Sequence, residues 1–139
     1  MARRTGVESK KGILEAAGEV FSERGYSKTT IREVARRAGI SVGTIYLYFS
    51  HKEELYLELF REQTNAFIIH IDTFRDQEPL EALRSVIHSY LGYAVKKTKL
   101  ISMHIKEYDL ELKKPLKKMS FNAQKRLIID ILKKGMSKG

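Results

Sequence analysis

The segment that decides the fold runs from Arg36 to Leu55 and reads "RRAGISVGTIYLYFSHKEEL". Between Ser41, a residue that favours the N-cap position, and Phe49 there is room for about two helical turns. Gly43 lies inside this short helix, although glycine costs about 1 kcal/mol relative to alanine in a helix interior. No residue from Ala38 to Ser50 is charged. The segment therefore predicts a short helix whose outward side is not an ordinary solvated surface.

The two preceding helices are marked by their ends. The first is predicted from about Glu8 to Arg24, because apolar residues recur there at helical spacing and Gly25 follows. The second begins after Thr30 in the sequence "TIRE", a capping box in which Thr30 accepts from the Glu33 amide and the Glu33 carboxylate reaches back. Gly39 ends it. A tight glycine turn then leads into the short helix.

The short helix is also fixed at its own ends. Ile40 and Ile45 stand at the two positions of a hydrophobic staple. A second capping box, "SHKE" at Ser50 to Glu53, predicts the start of a long helix that continues to about Phe74. These signals together predict a three-helix unit with a helix-turn-helix at about residues 30–49.

The short helix has two distinct sides when it is plotted at 100° per residue. Ile45 and Phe49 point toward the first two helices, whereas Gly43, Thr44 and Leu47 point away. A solvated side would normally carry Lys, Glu or Gln. A small, uncharged, hydroxyl-bearing side instead suits insertion into the major groove of DNA.

Each outward residue type has a chemical use against DNA. Gly43 allows the helix backbone to approach base edges, and a leucine such as Leu47 can contact a thymine methyl. Tyr46 and Tyr48 flank the outward side and have the reach to donate to phosphates, which helix N-termini also bind. The alternative interpretation is that the tyrosines belong to the core or a half-buried surface and that Gly43 is incidental.

The sequence from Ile13 to Phe60, "ILEAAGEVFSERGYSKTTIREVARRAGISVGTIYLYFSHKEELYLELF", resembles the N-terminal domain of the TetR/AcrR family of bacterial transcription regulators. The resemblance implies a homodimer that binds a palindromic operator, usually as a repressor, and is released when a small molecule binds the C-terminal domain. Val42 departs from the family pattern, because relatives often carry Lys or Arg there. The residues expected to contact DNA are Thr29, Thr30, Ser41, Val42, Gly43, Thr44, Tyr46, Leu47, Tyr48 and Lys52.

The whole chain is expected to be all-α, with a homeodomain-like helix-turn-helix followed by a helical regulatory domain. The predicted divisions are a basic flexible tail at residues 1–8, a TetR-type DNA-binding domain at 9–55 and a ligand-sensing domain at 56–139. Family members usually continue past the last residue here into two more helices, so this second domain is expected to be incomplete. Its helices are traced by Leu80, Leu83, Ile87, Leu91 and Ala94 after Pro79, by a short segment through Tyr108, and by residues from about Pro115 to Gly135.

Composition excludes several other classes of protein. The chain has no cysteine, which removes disulfides and thiolate metal sites. No apolar run approaches the roughly 20 residues of a membrane span, and Glu15 and Glu19 interrupt any signal-peptide core, so we expect a cytoplasmic protein. Residues 1–50 carry 9 Lys/Arg against 5 acids, residues 51–112 carry 8 against 11, and residues 113–139 carry 9 against 1. Two basic ends around an acidic middle favour a polyanionic partner, although "KKPLKK" at 113–118 is by default a solvated loop.

No catalytic motif accompanies these features. A phosphate loop, a nucleophile elbow and an HExxH pair are all missing from the sequence, so neither an enzyme nor a cofactor is expected. His104 and Glu107 have a spacing that can begin a metal site, but we predict no metal. The expected effector pocket is lined by Phe67, Tyr90, Tyr93, Met103, His104, Tyr108 and Phe121, each of which also fits a plain core position. Two rival hypotheses are a helical small-molecule or interaction module without specific DNA recognition, and a nucleic-acid binder driven by charge alone.

Overall fold

The structure, a computed structural model, describes residues 6–99, 101–102 and 114–139, and every regular element in those ranges is helical. The helices are α1 (Gly6–Arg24), α2 (Ile31–Ala38), α3 (Val42–Tyr48), α4 (Lys52–Asp72), α5 (Pro79–Lys96) and α6 (Lys114–Ser137). The all-α prediction is confirmed. Helix α1 begins two residues earlier than predicted, whereas the short helix expected through Tyr108 lies outside the described residues.

The chain divides into two compact units. Helices α1, α2 and α3 belong to the first unit with the part of α4 that ends at Phe60, and the second unit contains the rest of α4 from Arg61, α5 and α6. Each helix of the first unit contributes one apolar side to a common core, which excludes water from these residues. The core side chains of this unit are Ile13, Leu14, Ala16, Ala17, Val20, Phe21, Val34, Ala35, Ile45, Phe49, Leu55, Tyr56 and Leu59.

The turn between α2 and α3 depends on Gly39. Its φ of 71° and ψ of 32° place it in the left-handed region, which glycine adopts without a Cβ clash. Its amide donates to the Arg36 carbonyl at 3.2 Å, and the next amide, of Ile40, donates to the Ala35 carbonyl at 3.0 Å. These two bonds satisfy carbonyl groups at the end of α2 that lack a partner within the helix. The chain then turns directly into α3.

The first capping box forms only in part. The Thr30 hydroxyl accepts from the Glu33 amide at 3.1 Å, as predicted. The Glu33 carboxylate accepts from the Arg36 guanidinium at 2.5 and 3.1 Å, and it lies 3.5 Å from the Arg24 guanidinium. It does not accept from the Thr30 amide, which is the second bond of a capping box. An arginine one turn further along α2 thus competes for the carboxylate.

The second capping box is displaced by one residue from the prediction. His51, not Ser50, caps α4, because its Nδ1 accepts from the Glu54 amide at 3.3 Å. The Glu54 carboxylate, not that of Glu53, returns to accept from the Ser50 amide at 2.7 Å. Of two adjacent glutamates, the pattern predicted the wrong one.

The second unit has a smaller core. It consists of Ile71 from α4, Ala82 and Val86 from α5, and Leu127 and Ile131 from α6. The helix predicted after Pro79 is confirmed. The residues that traced it do not mark its packed side, because Leu80, Ile87 and Leu91 are exposed together with Val95. Helix α5 is apolar on two sides, and sequence periodicity does not say which of them packs.

Gly135 does not end α6, which continues to Ser137. A Cβ built at Gly135 would lie 3.2 Å from Cβ of Pro79 at the start of α5. This glycine therefore allows the two helix ends to approach closely. Within the described ranges, no helix has both the length and the apolar character that crossing a membrane requires.

Candidate nucleic-acid interface

Helix α3 has one buried side and one exposed side. Ile45 is fully buried and Phe49, just after the helix, is 2% exposed. Leu47 is 83% exposed, Tyr46 is 52% exposed, and Gly43 also faces solvent. This arrangement agrees with the predicted orientation, and it places a large aliphatic side chain in water without any charged neighbour on the same helix.

The start of α3 carries two ordered hydroxyl groups. Ser41, the N-cap, accepts from the Thr44 amide at 3.1 Å, and the Ser41 and Thr44 hydroxyl oxygens lie 2.8 Å apart. A hydroxyl offers one donor and two acceptor sites, so this pair keeps hydrogen-bonding capacity for a ligand. The pair is therefore held in place before any ligand arrives.

Gly43 is not required by the packing of the protein. A Cβ built there would have one neighbour, the Ser41 hydroxyl oxygen at 3.8 Å, which is an ordinary contact. Its φ is not positive, so an L-residue can adopt the same backbone conformation. The fold would therefore accept alanine here.

Two residues expected to contact DNA make contacts inside the protein. Thr29 is 1% exposed, and its hydroxyl donates to the Gly25 carbonyl at 2.6 Å, which places its side chain in the core. The ammonium of Lys52 donates to the Tyr26 carbonyl at 2.9 Å. Both residues donate to backbone carbonyls in the turn between α1 and α2. A pattern of side chains in the sequence does not predict hydrogen bonds to such carbonyls.

The other expected residues lie at or near the surface. Thr30 is exposed, and Val42 and Tyr48 are half-buried. Two exposed basic residues that were not singled out, Lys28 and Arg32, lie on either side of Thr30 in the sequence. Their positions beside a capped helix start were the signal that could have identified them as phosphate-binding candidates.

Ion pairs hold α2 against α1. The Arg37 guanidinium donates to the Glu23 carboxylate at 2.8 and 3.0 Å and to the Glu19 carboxylate at 3.2 Å. The hydrogen bond from Arg37 lowers the pKa of Glu23, and the bond from Arg36 lowers the pKa of Glu33. These arginines therefore already have acidic partners within the protein.

The second unit brings together three of the expected pocket residues. The Phe67 ring lies 4.9 Å from that of Tyr90 and 5.0 Å from that of Tyr93, measured between centroids. Burial raises the pKa of both tyrosines. The Tyr90 hydroxyl donates to the side-chain carbonyl of Gln124 on α6. An aromatic cluster with polar groups at its edge can bind an apolar ligand.

The structure describes one of the remaining pocket candidates. Phe121 is 65% exposed, and Met103, His104 and Tyr108 lie outside the described residues. The histidine and glutamate considered as metal ligands, His104 and Glu107, lie outside them too. In the part of the chain that the structure describes, no three His, Asp or Glu side chains are grouped as metal ligands.

Comparison with known proteins identifies relatives of this chain. A sequence profile for "Bacterial regulatory proteins, tetR family" matches residues 13–59. The fatty acid metabolism regulator protein of Bacillus subtilis (strain 168) is 45% identical over 56 residues, 40% of this chain and 29% of that protein. The HTH-type transcriptional regulator RutR of Escherichia coli (strain K12) is 35% identical over 79 residues, 56% of this chain and 37% of that protein. The chain spans about a third of the length of these curated relatives.

The similarity in fold extends beyond the segment that the profile matches. The crystal structure of the transcriptional regulator FadR from Bacillus subtilis in complex with stearoyl-CoA gives a TM-score of 0.79 at 28% identity, covering 93% of this chain and 72% of that one. A TetR-like transcriptional regulator from Rhodococcus sp. RHA1 gives a TM-score of 0.80 at 24% identity, with coverage of 98% and 75%.

Proposed function

We propose that this chain, which belongs to the TetR family of transcriptional regulators, recognises an operator with the exposed side of α3 and represses transcription until an effector releases it. The observation that carries this proposal is the exposure of an uncharged side on α3, with Leu47 at 83%, above the buried Ile45. Leaving such a surface in water has no structural benefit, whereas the major groove accommodates it. The protein then acts as a regulator in the cytoplasm and not as an enzyme.

The proposed contacts follow from the chemistry of each group. Gly43 and Leu47 face base edges, where the leucine contacts a thymine methyl. The Ser41 and Thr44 hydroxyls bond to base edges or the backbone, and Tyr46 donates to a phosphate. The other proposed positions are Val42 and Tyr48 on α3, and Lys28, Thr30 and Arg32 around the start of α2 for phosphates.

Substitution of Thr44 and Tyr46 by alanine tests the proposal. The probe is a duplex selected by the wild-type protein from a random-sequence pool, with an unrelated duplex as competitor at one salt concentration. We expect the double variant to lose at least about 2 kcal/mol of specific binding while it remains folded, because two polar contacts are removed. If the wild-type protein prefers its selected duplex by less than about tenfold, binding is driven by charge alone and the proposal fails.

We also propose that the chain binds as a homodimer to two half-sites. Each α3 helix of a dimer would enter the major groove one helical turn, about 34–36 Å, from the other. Footprinting on the selected duplex should show two protected half-sites related by a palindrome. Protection of one half-site alone would contradict the dimer but not the recognition by α3.

The proposed effector is a molecule with a long apolar chain, of the acyl-CoA class. Two observations support it: the ring cluster of Phe67, Tyr90 and Tyr93 in the second unit, and the stearoyl-CoA in the FadR structure from Bacillus subtilis. Addition of stearoyl-CoA should release the selected duplex, whereas free CoA should not. Binding of stearoyl-CoA without any effect on DNA affinity would instead favour the alternative, a helical small-molecule-binding module.

A further inference from the structure

Lys52, the first residue of α4, is half-buried, and its ammonium group makes three contacts within the protein. Its Nζ lies 2.9 Å from the Tyr26 carbonyl oxygen and 3.4 Å from that of Ser27. The same atom lies 4.4 Å from the centroid of the Tyr26 ring. An ammonium has three donors and is also attracted to an aromatic face, so these contacts account for most of its bonding capacity. A phosphate contact would have to use the one remaining donor or displace one of these bonds.

The Tyr26 ring is itself held in place by its neighbours. Its centroid lies 5.9 Å from that of Phe21 on α1 and 5.2 Å from that of Tyr56 on α4. Tyr56 is fully buried. The ring thus packs between two helices, and its position relative to α4 fixes the place at which the Lys52 ammonium can lie over it.

The turn that accepts from Lys52 leads directly to the DNA-facing helices. Thr29 closes it from within, because its amide donates to the Tyr26 carbonyl at 3.3 Å and its hydroxyl to the Gly25 carbonyl. Lys52 adds a second attachment, from α4. The next residue along the chain is Thr30, whose hydroxyl caps α2.

We propose that Lys52 is a positioning residue for DNA recognition and not a phosphate contact. It holds the turn between α1 and α2 against the start of α4 and thereby sets the position of Thr30 and of α2, the helix that precedes α3. This inference rests on the proposed function, since it assigns Lys52 a role in how the α3 surface is presented to DNA.

A phosphate contact and a positioning role predict different salt dependence. Each phosphate contact contributes about 0.9 to the slope of log K against log salt concentration, because binding releases counterions. Loss of such a contact lowers that slope. Loss of a positioning contact weakens binding and reduces the preference for the selected duplex, but the slope stays the same because the phosphate contacts are unchanged.

The first experiment compares Lys52→Met with Lys28→Met. Lys28 lies in the same turn and is exposed, so its substitution removes the same charge without removing the attachment to α4. Affinity for the selected duplex is measured over a salt series, at a temperature where circular dichroism shows each variant fully folded. We expect Lys52→Met to bind about tenfold more weakly, with the wild-type slope and a smaller preference over the unrelated duplex. A slope lowered by about 0.9 with that preference unchanged would overturn the inference.

The second experiment needs no DNA. Lys52→Met, Tyr26→Leu and the double variant are unfolded in urea to complete a double-mutant cycle. We expect Lys52→Met to shift the unfolding midpoint less in the Tyr26→Leu background than in the wild type. Additive shifts would show that the two residues do not interact and would overturn the inference. Failure of the proposed function is seen separately, as the absence of any preferred sequence in the pool selected by the wild-type protein.

Discussion

A substitution at Gly43 should affect the stability of the protein and its affinity for DNA in different directions. Because a Cβ fits there, we expect Gly43→Ala to keep or raise the free energy of unfolding, by up to about 1 kcal/mol. The added methyl keeps the helix backbone away from base edges, so the same variant should bind the selected duplex at least about tenfold more weakly. Urea unfolding and DNA titration measure the two effects.

Gly92 provides the matched control for this substitution. It lies inside α5, and a Cβ built there meets nothing within 4 Å. Gly92→Ala should therefore be as stable as Gly43→Ala or more so, with unchanged affinity for DNA. Equal affinities of Gly43→Ala and the wild-type protein would show that the backbone of α3 does not approach DNA closely.

Leu47 gives a second test at a single side chain. Its exposure in the free protein means that Leu47→Ala should leave stability within about 0.5 kcal/mol of the wild-type value. Burial against a thymine methyl is worth about 1–2 kcal/mol, so affinity for the selected duplex should fall about tenfold. Ile69→Ala on α4 is the control, because Ile69 is exposed too and lies in the second unit. If both variants bind like the wild type, Leu47 has no contact with DNA.

The sequence predicts the burial of single residues on α3 but not the hydrogen-bond partners of Thr29 and Lys52. Burial of Ile45 and exposure of Leu47 followed from helical periodicity, because side chains two positions apart on a helix diverge. The internal partners of Thr29 and Lys52 did not follow. Backbone carbonyls in a turn become available only when the turn has formed, so no spacing of side chains predicts them.

The start of α4 allows a prediction at the scale of a helix. Glu54 makes the return bond to the Ser50 amide, and its own amide donates to the cap residue, whereas Glu53 has no part in the cap. Glu54→Ala should lower the free energy of unfolding by about 0.5–2 kcal/mol, the usual cost of a lost cap. Glu53→Ala should cost less than half as much in the same urea titration. A larger cost for Glu53→Ala than for Glu54→Ala would place the cap at Ser50, as the sequence pattern alone predicts.

The helices differ in how well the sequence predicts them. The N-cap residues and the glycine after α2 predicted the ends of α2 and α3 to within one residue, because these signals are local in the sequence. On α5, apolar residues occupy two sides, and only the buried Ala82 and Val86 reveal which side packs. Choice between two apolar sides depends on the neighbouring helices, which a local pattern does not contain.

Across the molecule, ion pairs make stability depend on pH. Three carboxyl groups have lowered pKa values because each accepts a hydrogen bond from a cation: Glu23 from Arg37, Glu33 from Arg36 and Glu78 from Lys138. A lowered pKa means that the folded state binds fewer protons than the unfolded chain near the ordinary value of 4.5. Their stabilisation is therefore complete above that value and is lost as the pH falls through the lower pKa of the folded state.

Urea unfolding between about pH 7 and pH 3 measures this loss. We expect stability to fall on the acid side, and Arg37→Gln to reduce the fall, because the Glu23 carboxyl then titrates more nearly as in the unfolded chain. Arg126→Gln, which removes an exposed arginine of α6, is the control and should leave the pH dependence unchanged. Identical profiles for Arg37→Gln and the wild-type protein would mean that these pairs contribute nothing measurable.

At the scale of the whole chain, the sequence predicted a helical protein whose first part resembles a DNA-binding domain. The family profile at residues 13–59 confirms that resemblance. The aromatic grouping of Phe67 with Tyr90 and Tyr93 was only partly anticipated, since the same list included the exposed Phe121. Aromatic residues at helical spacing predict burial in general, and the partner of each ring depends on how α4, α5 and α6 pack.

The division of α3 into a buried and an exposed side has a consequence for protein engineering. Ile45 and Phe49 attach the helix to the core, and the positions between and before them make no comparable attachment. A combinatorial library that randomises residues 43, 44, 46 and 47 should thus yield mostly stable proteins. Selecting such a library on new target sequences would change the specificity of the protein while its scaffold stays constant.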